Sequence, residues 1–398
     1  MAKRRANHEG TVRKRSDGRF EARLSYEDSE TGKRRRVSAY GPSRKAAMGE
    51  LAKVRDRIEE GQPPKDSSTT VGAWLAHWRA TALAASDRKP STKELYANLS
   101  RKHLEPEPFG ATRLDRLRPS HIEGLVLAMR AKTKPSKRVD EETAPERVRA
   151  LSDSTIRQAY TILRAGLDGA VRDGLLGRNP AAAVRRPGVE RGEAQYLHTD
   201  DVSRLLRAAE GSRYYPVLAL VASTGLRRGE ALGLSWDKVD LDIGVLRVTA
   251  TLNRVGGVLV CSEPKTPRAW RVVPLTPGMV TLLRKHKAAQ DGERLRAANT
   301  WENSDLVFTT ELGTPVDPRN ILRSVEVAAR KAGIEGVGVH TLRHSAAVAW
   351  LESGAHIKAV ADLLGHSSIA VTGDTYGHTS DDAAKTAVLA LGARLNIL

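Results

Sequence analysis

The sequence contains almost no cysteine and no long apolar run. One cysteine, Cys261, stands among 398 residues, which excludes an intramolecular disulfide framework and a cysteine-rich zinc site. No segment approaches the roughly 18–20 consecutive apolar residues that span a bilayer, so we predict that the chain is not a membrane protein. The residues that follow Met1 are polar and basic, so we predict no secretory signal and expect an intracellular protein.

Several common catalytic signatures are also absent. The sequence has no Walker A loop, no dinucleotide-binding glycine fingerprint and no Gly-x-Ser-x-Gly motif, so nucleotide-driven chemistry has no support. His340 and His344 have the spacing of a zinc-binding helix, but Thr341 stands where the glutamate of that motif belongs. Arg343 lies between them and would repel a cation. We therefore expect neither a metal ion nor a cofactor.

Positive charge is in excess and is unevenly distributed. The chain has 65 lysine and arginine residues against 47 acidic residues, a formal net charge of +18. Residues 1–187 carry +16 of this charge, and residues 188–398 carry +2. A basic front half joined to a nearly neutral back half indicates a polyanion-binding region attached to a region with another task. The alternative is a basic surface that only keeps the protein soluble.

Residues 10–60 have the pattern of three strands and a helix. Strand patterns cover 11–15, 19–26 and 34–40, and Ser43 is a typical cap for the helix that follows. A thin sheet with an arginine-rich face can enter the major groove of DNA, although a small fold with solvated charges would give the same pattern. The predicted DNA contacts are Arg13, Lys14, Arg15, Arg19, Arg34, Arg35 and Arg36.

Two predicted linkers separate the remaining regions. They cover 61–70 and 179–192, where proline, glycine and polar residues are frequent. Between them, 71–187 has the apolar spacing of helices, interrupted by a charged loop at 132–150. From residue 196 onward the chain mixes strand patterns with helices. The strand patterns cover 245–252, 257–261 and 271–275, and 253–256 connects the first two.

Three segments of this last region are rich in side chains that can do chemistry. They are 223–230, 264–266, and 340–344 with the stretch that runs on to 378. Two guanidinium groups can bind both non-bridging oxygens of a phosphodiester and stabilise the charge of a pentacoordinate transition state. A lysine can protonate a leaving oxygen, and a tyrosine becomes a nucleophile when arginines and a histidine assist its deprotonation. Taken singly, such residues are more often surface charges or packing residues.

The order and spacing of these residues form one pattern. It comprises Thr224-Gly-Leu-Arg227 with Glu230, Pro264-Lys265-Thr266 with Arg271-Val-Val-Pro-Leu275, His340-Thr-Leu-Arg343-His344, Leu364-Gly-His366 and Tyr376. The intervals are 116 residues between the two arginines, 23 from Arg343 to His366, and 10 from there to Tyr376. The pattern resembles the tyrosine recombinases, the integrase family of phages and integrative elements. The resemblance is strong over 196–380 and extends in architecture to the whole chain.

The resemblance implies that four of these residues act directly on a DNA phosphate. Arg227 and Arg343 would clamp the scissile phosphate. Lys265, at a turn between strands, would protonate the 5′ leaving oxygen. Tyr376 would be the nucleophile that forms a 3′-phosphotyrosyl link.

By the same resemblance, two histidines complete a set of six catalytic residues, and Glu230 supports that set. His340 would assist acid–base chemistry, and His366 would contact the scissile phosphate. Glu230 would orient the active site by hydrogen bonding. His344 is usually structural in this motif. Gly373, three residues before the expected nucleophile, weakens a helix by up to about 1 kcal/mol relative to alanine.

The resemblance also implies a multidomain fold. Residues 1–64 would form a small arm-type DNA-binding domain, a β-sheet plus a helix, and residues 70–187 an all-α core-binding domain. Residues 194–398 would form a mixed α/β, mainly α, catalytic domain that ends in a tail helix. The apolar stripe within 382–395 implies docking of this tail on a neighbouring protomer, although it would also suit packing on its own domain.

A chain with these domains is expected to be a site-specific DNA recombinase that integrates or excises a phage or mobile element. It would act through a 3′-phosphotyrosyl intermediate and a Holliday junction. The implied partners are double-stranded DNA with core-type and arm-type sites, a homotetramer on that DNA, a directionality factor and a host DNA-bending protein. The implied location is the cytoplasm of a bacterial host, on the nucleoid when the chain is bound to DNA.

Two other functions share part of this pattern. A non-catalytic DNA-binding protein can use the same fold, but it would not need all six catalytic residues. A type IB topoisomerase-like enzyme would use the same chemistry to relax any supercoiled plasmid. Strand exchange between two defined sites distinguishes a recombinase from both.

Overall fold

The computed structural model describes residues 11–27, 34–59, 68–135, 147–190, 195–263 and 270–376. The chain divides into two units, residues 1–191 and residues 192–398. The predicted tail helix lies outside the described residues. Within the described residues, no helix has both the length and the apolar character that a membrane crossing requires.

The first unit begins with a three-stranded antiparallel sheet that packs on one helix. The sheet order is β1-β2-β3, and the elements are β1 (Thr11–Lys14), β2 (Phe20–Glu27), β3 (Arg34–Gly41) and α1 (Arg44–Glu59). Alternate residues of β2 face the helix, so that Ala22 and Leu24 are buried with Leu51 of α1. The Ser43 hydroxyl accepts a hydrogen bond from the backbone N–H of Ala46 at 3.1 Å, which caps α1 as the sequence predicts.

Four helices form the core of the rest of this unit. They are α2 (Val71–Trp78), α3 (Pro90–Leu99), α4 (Pro119–Ala131) and α5 (Asp153–Arg172). Helix α5 has an apolar side along its length, and Ile156, Leu163 and Leu167 on it are fully buried. Trp74 of α2 lies in the same core and donates its indole N–H to the carbonyl of Gly166 at 2.7 Å. The other helices therefore assemble around α5.

The prediction of a loop over 132–150 in an all-α region is wrong in part. Strand β4 (Thr133–Pro135) pairs antiparallel with β5 (Arg147–Arg149), and the backbone N–H of Ala150 donates to the carbonyl of Lys132 at 2.7 Å. The high charge of this stretch suggested a loop. Backbone pairing between two exposed segments leaves little trace in side-chain pattern, so the sequence did not reveal this ribbon.

The second predicted linker, 179–192, is also wrong in part. Residues Pro180–Ala183 form a 3₁₀ turn that packs against α5. The hydroxyl of Tyr160 lies 2.7 Å from the carbonyl oxygen of Ala181 and 2.9 Å from that of Val184. Proline and glycine mark a turn correctly, but they do not indicate whether the turn packs on a core.

The second unit surrounds small sheets with helices. Its helices are α6 (Thr199–Ala209), α7 (Tyr215–Thr224), α8 (Arg228–Leu232), α9 (Pro277–Ala297), α10 (Pro318–Lys331), α11 (Val339–Glu352), α12 (Ile357–Leu364) and α13 (Ile369–Tyr376). Its strands are β6 (Val239–Asp240), β7 (Val245–Val248), β8 (Thr251–Val255), β9 (Val258–Ser262) and β10 (Arg271–Pro274). One antiparallel sheet has the order β10-β7-β6, and β8 pairs with β9. Leu246 and Val273 of the first sheet share a core with Leu220 of α7 and Leu342 of α11.

The predicted strand over 245–252 is two strands in different sheets. Strand β7 ends at Val248, and β8 begins at Thr251 and pairs with β9. The predicted connection at 253–256 is also wrong in part, because the turn of this hairpin is at Gly256 and Gly257, with φ of 59° and 85°. One continuous apolar pattern runs through both strands, so the sequence did not show the break between them.

Candidate active site

A glycine turn places the first arginine of the motif pattern. Gly225 caps the end of helix α7 with a φ of 62°, and a Cβ there would lie 2.9 Å from Leu364 Cδ2. Arg227 then caps α8, because its backbone N–H donates to Glu230 Oε2 at 2.9 Å. Gly225 thus allows the end of α7 to approach α12 closely. This close packing fixes the backbone two residues before Arg227.

The carboxylate of Glu230 bridges two guanidinium groups. Arg227 Nη1 lies 2.6 Å from Oε1, and Arg271 Nη2 lies 2.7 Å from Oε2. The side chains of Glu230 and Arg271 are only 5% and 6% exposed. Burial raises the pKa of Glu230, but the hydrogen bond and charge of Arg271 and the charge of Arg227 outweigh that effect and hold the pKa below its usual value. The carboxylate is therefore ionised and fixed between the two arginines.

Arg271 is a buried member of this site whose role the sequence reasoning missed. Besides its ion pair, it donates from Nε to the carbonyl of Leu363 at 2.6 Å. A Cβ on Gly365 would lie 2.9 Å from Arg271 Nη1, and Gly365 has a φ of 64°. A signal existed, because alternate residues of a strand share a face and Arg271 shares that of the buried Val273.

Arg343 joins the ends of two helices to the same site. Its Nη1 donates to the carbonyl of Gly225 at 2.6 Å, and its Nη2 donates to the carbonyl of Leu364 at 2.7 Å. The residue is only 3% exposed. Arg227 Nη2 lies 3.3 Å from the next carbonyl, that of Gly365. The two arginines of the predicted clamp thus contact consecutive carbonyls at the end of α12.

His366 follows directly in sequence and belongs to the same cluster. Its Nδ1 lies 2.8 Å from the hydroxyl oxygen of Thr372, in the middle of α13. Burial, and then the charges of Arg343 and Arg227, lower the pKa of His366 to about 4. The imidazole is therefore neutral at pH 7, beside two permanent positive charges.

His340 and His344 lie on α11 near Arg343, with ring centroids 6.4 Å apart. Partial burial, and then the charge of Arg343, lower the pKa of His340. Partial burial, and then the charge of His340, lower the pKa of His344. The lowered pKa values favour neutral imidazoles. Both rings can therefore accept a proton or donate a hydrogen bond without adding a permanent charge to the site.

The cluster as a whole suits a bound oxyanion. Guanidinium groups offer several N–H donors in a fixed plane, and a partly buried site strengthens their attraction for a phosphate oxygen. Within the described residues, no group of three histidine, cysteine, aspartate or glutamate side chains has the arrangement of a metal site.

The N-terminal sheet contains a second buried carboxylate. Glu21 is only 2% exposed, although it lies on the sheet face opposite α1. Arg13 Nε is 2.6 Å from its Oε2, and Arg23 Nε is 3.0 Å from its Oε1. Hydrogen bonds from Arg23 and then Arg13 lower the pKa of Glu21 to about 2. The guanidinium of Arg15 stacks over the ring of Tyr40 at 5.5 Å.

The residues Arg13, Glu21, Arg23 and Tyr40 form the open face of this sheet. The predicted DNA contacts do not all lie on this face. Arg13 lies on it, whereas the neighbouring Lys14 lies on the other side of the sheet, 6.0 Å from the ring of Phe20. Arg23 was missed by the sequence reasoning. Of the other predicted contacts, Arg15, Arg19, Arg34 and Arg36 are exposed, and the side chain of Arg35 lies outside the described residues.

Comparison with known proteins shows which family the chain resembles. Residues 195–383 match the model of the phage integrase family. A relative named XerC-like tyrosine recombinase, from Caldanaerobacter subterraneus, is 26% identical over 367 residues, which cover 88% of this chain and 89% of the relative. Residues 195–383 thus carry a domain of the phage integrase family, and the chain is similar to a tyrosine recombinase over most of its length. Members of this family are DNA breaking-rejoining enzymes that carry out site-specific recombination, so the predicted family and enzyme class are confirmed.

Two solved structures show the same fold. The Tn1549 transposon integrase in complex with circular intermediate DNA has a TM-score of 0.64 at 20% identity, over 81% of this chain and 100% of that one. A lambda integrase tetramer bound to a Holliday junction has a TM-score of 0.56 at 19% identity, over 95% of this chain and 99% of that one. An N-terminal β/α region followed by a catalytic domain is the coarse architecture that the sequence predicted, and it is confirmed.

The recombinase motif residues are only partly within the described structure. Arg227 contacts the carbonyl of Gly365 and Arg343 that of Leu364, both just before His366, and His340 lies on the helix that carries Arg343. Lys265 lies outside the described residues, as does His378. Helix α13 ends at Tyr376, and the side chain of Tyr376 is not among those described.

We expect Arg271→Met to lower the free energy of unfolding of the second unit by about 3 kcal/mol, because the buried Glu230 carboxylate would keep only Arg227. The folded-state pKa of Glu230 is below its ordinary value of 4.5. The contribution of the ion pair is therefore fully present above that value and is lost as the pH falls through the folded-state pKa. Amide hydrogen exchange of α7 in the full chain, measured between pH 7 and pH 3, reports this free energy.

Arg247→Met is the matched control, because Arg247 is exposed on β7 and pairs with Val272 of the neighbouring β10. At pH 7, Arg271→Met should lose more of the free energy of unfolding than the control does. This difference should become smaller in acid. An equal loss in the two variants, or a loss that does not change with pH, would contradict the buried ion pair.

Proposed function

We propose that this recombinase integrates or excises a phage or mobile element through a 3′-phosphotyrosyl intermediate and a Holliday junction. One observation carries the proposal. Arg227 and Arg343 contact the consecutive carbonyls of Gly365 and Leu364, directly beside His366. Two guanidinium groups and a neutral imidazole thus lie together, and this donor set suits both non-bridging oxygens of one phosphate.

The proposed cleavage step begins at the scissile phosphate. Arg227 and Arg343 bind its non-bridging oxygens and offset the negative charge that develops on them. His366 donates a hydrogen bond to the same phosphate, and His340 assists proton transfer. Glu230 does not touch the phosphate but holds Arg227 in place.

Bond making and breaking involve two further residues, Tyr376 and Lys265. The phenolic oxygen of Tyr376 gives its proton to the neutral imidazole of His340 and forms a bond to phosphorus, while the bond from phosphorus to the 5′ oxygen breaks. Lys265 gives a proton to the 5′ oxygen. In rejoining, a 5′ hydroxyl of the partner strand attacks the phosphotyrosyl bond and releases Tyr376. The number of phosphodiester bonds is conserved, so no ATP is needed.

The domain assignment belongs to the same proposal. Residues 1–64 would bind arm-type DNA through the open face of the sheet, 70–187 would bind core-type DNA, and 194–398 would cut it. The net charge of +16 over residues 1–187 supports DNA binding by the first two. The likeness to the lambda integrase tetramer supports a homotetramer on DNA. A directionality factor and a host DNA-bending protein would complete the assembly.

Tyr376→Phe should abolish covalent attachment to DNA and leave binding unchanged, because only the phenolic oxygen that attacks phosphorus is removed. The assay uses a nicked duplex that carries the attachment core, with no metal or ATP. A denaturing gel detects the adduct, and mass spectrometry locates the linked residue. Tyr214→Phe, at the start of α7, is the control that should keep adduct formation.

An adduct formed by Tyr376→Phe would overturn the assignment of the nucleophile. Failure of the wild-type chain to form an adduct on a duplex that it binds would favour a non-catalytic DNA-binding protein. Relaxation of any supercoiled plasmid without strand exchange would favour a topoisomerase-like enzyme.

Arg13→Gln should weaken arm-site binding and reduce the salt dependence, because Arg13 lies on the open face of the sheet. In a plot of the logarithm of the binding constant against the logarithm of the salt concentration, loss of one phosphate contact should make the slope less negative by about 0.9. Lys14→Gln removes the same charge one residue further on, from the opposite side of the sheet. Salt titrations of the full chain on a duplex with the arm sites should change only for Arg13→Gln. Equal changes in the two variants would contradict the assigned face.

A further inference from the structure

Thr372 has a buried hydroxyl with an unusual partner. The residue is fully buried, and within the described residues its hydroxyl makes one hydrogen bond, to His366 Nδ1 at 2.8 Å. Thr375, on the same helix, instead donates to the carbonyl of Val371 four residues earlier, at 2.7 Å. That back-bond is what a threonine inside a helix ordinarily makes. The hydroxyl of Thr372 is thus used for a side chain outside its own helix.

The Thr372 hydroxyl proton needs an acceptor, and this need decides which of the two groups donates the hydrogen bond. A buried hydroxyl that only accepted a hydrogen bond would leave its own proton without an acceptor, which is unfavourable. The acceptor at hand is His366 Nδ1, so the Thr372 hydroxyl donates and Nδ1 carries no proton. A neutral imidazole then carries its proton on Nε2, at the other side of the ring.

The charges around His366 agree with a neutral ring. Arg343, Arg227, His344 and Arg271 all act on it in the same direction, against protonation. Without the Thr372 bond, a neutral ring could hold its proton on either nitrogen. Nε2–H is needed if this residue is to donate to a phosphate while Nδ1 faces α13.

We propose that Thr372 is a positioning residue that fixes the Nε2–H tautomer and the ring orientation of His366, so that Nε2 donates to the scissile phosphate. The catalytic part of this inference rests on the proposed function. Thr372 also stands in the helix that ends at Tyr376, so one hydrogen bond connects that helix to the phosphate-binding cluster. Positioning of a donor by a residue behind it is common in sites where the orientation of a ring determines the chemistry.

The test replaces the hydroxyl and keeps the shape. Thr372→Val has nearly the same volume without the donor, and Thr372→Ser keeps the donor. Thr375→Val is the matched control, because it removes a hydroxyl from the same helix that does not contact His366. Histidine-selective ¹⁵N NMR of the full chain distinguishes a protonated ring nitrogen from an unprotonated one, and loss of one signal in His366→Gln assigns the spectrum.

Wild type, Thr372→Ser and Thr375→Val should all show His366 with an unprotonated Nδ1. Thr372→Val should show a mixture of tautomers. Its single-turnover rate of adduct formation on the nicked duplex should fall about 10-fold, the effect of one hydrogen bond, with DNA affinity unchanged. Thr372→Ser should restore most of that rate.

An unchanged His366 tautomer in Thr372→Val would overturn the positioning role, whatever happens to the rate. An equal loss of rate in Thr375→Val would also overturn it, because any hydroxyl of α13 would then have the same effect. The absence of an adduct with the wild-type chain, on a duplex that it binds, would instead overturn the proposed function and the catalytic part of this inference with it.

Discussion

The rest of the site depends on the two ion pairs that the buried carboxylate of Glu230 makes. One of its oxygens pairs with Arg227 and the other with Arg271, whose guanidinium also reaches the carbonyl of Leu363. Removing an ion from water costs several kcal/mol, about as much as its partners return, so such a triad adds little net stability. Its effect is on geometry, because α8, β10 and the end of α12 must take one relative position for all three charges to be paired.

Arg343 completes this arrangement without touching the carboxylate. It contacts the carbonyl groups of Gly225 and Leu364, and so joins α11 to the ends of α7 and α12. Burial, and then the charges of Arg343 and Arg227, lower the pKa of His366 and hold it neutral, which lets it donate a hydrogen bond without a further positive charge. A bound phosphate would bring negative charge to the cluster and would raise the pKa of His366 toward its usual value. The N-terminal sheet uses a similar device, since Glu21 orients Arg13 and Arg23.

The sequence was sufficient where function depends on short motifs and on strand alternation. The order of arginines, histidines and tyrosine indicated the family, and the alternating pattern over 19–26 predicted the strand that is β2. It was insufficient where distant segments meet. Arg271 and Glu230 lie 41 residues apart, and strand alternation, which places Arg271 on the face of Val273, does not indicate the distant carboxylate that pairs with it. Glu21 lies on the open face of the N-terminal sheet, yet Arg13, Arg23 and Tyr40 cover it.

The central claim is that Glu230 and Arg271 place Arg227 beside Arg343 for one phosphate. A crystal structure of the full chain on a nicked core-site duplex tests this claim most directly. We expect the guanidinium groups of Arg227 and Arg343 to bind non-bridging oxygens of the same phosphate, with the Glu230–Arg271 ion pair intact. Arginines on two different phosphates, or a Glu230 carboxylate separated from Arg271, would contradict it.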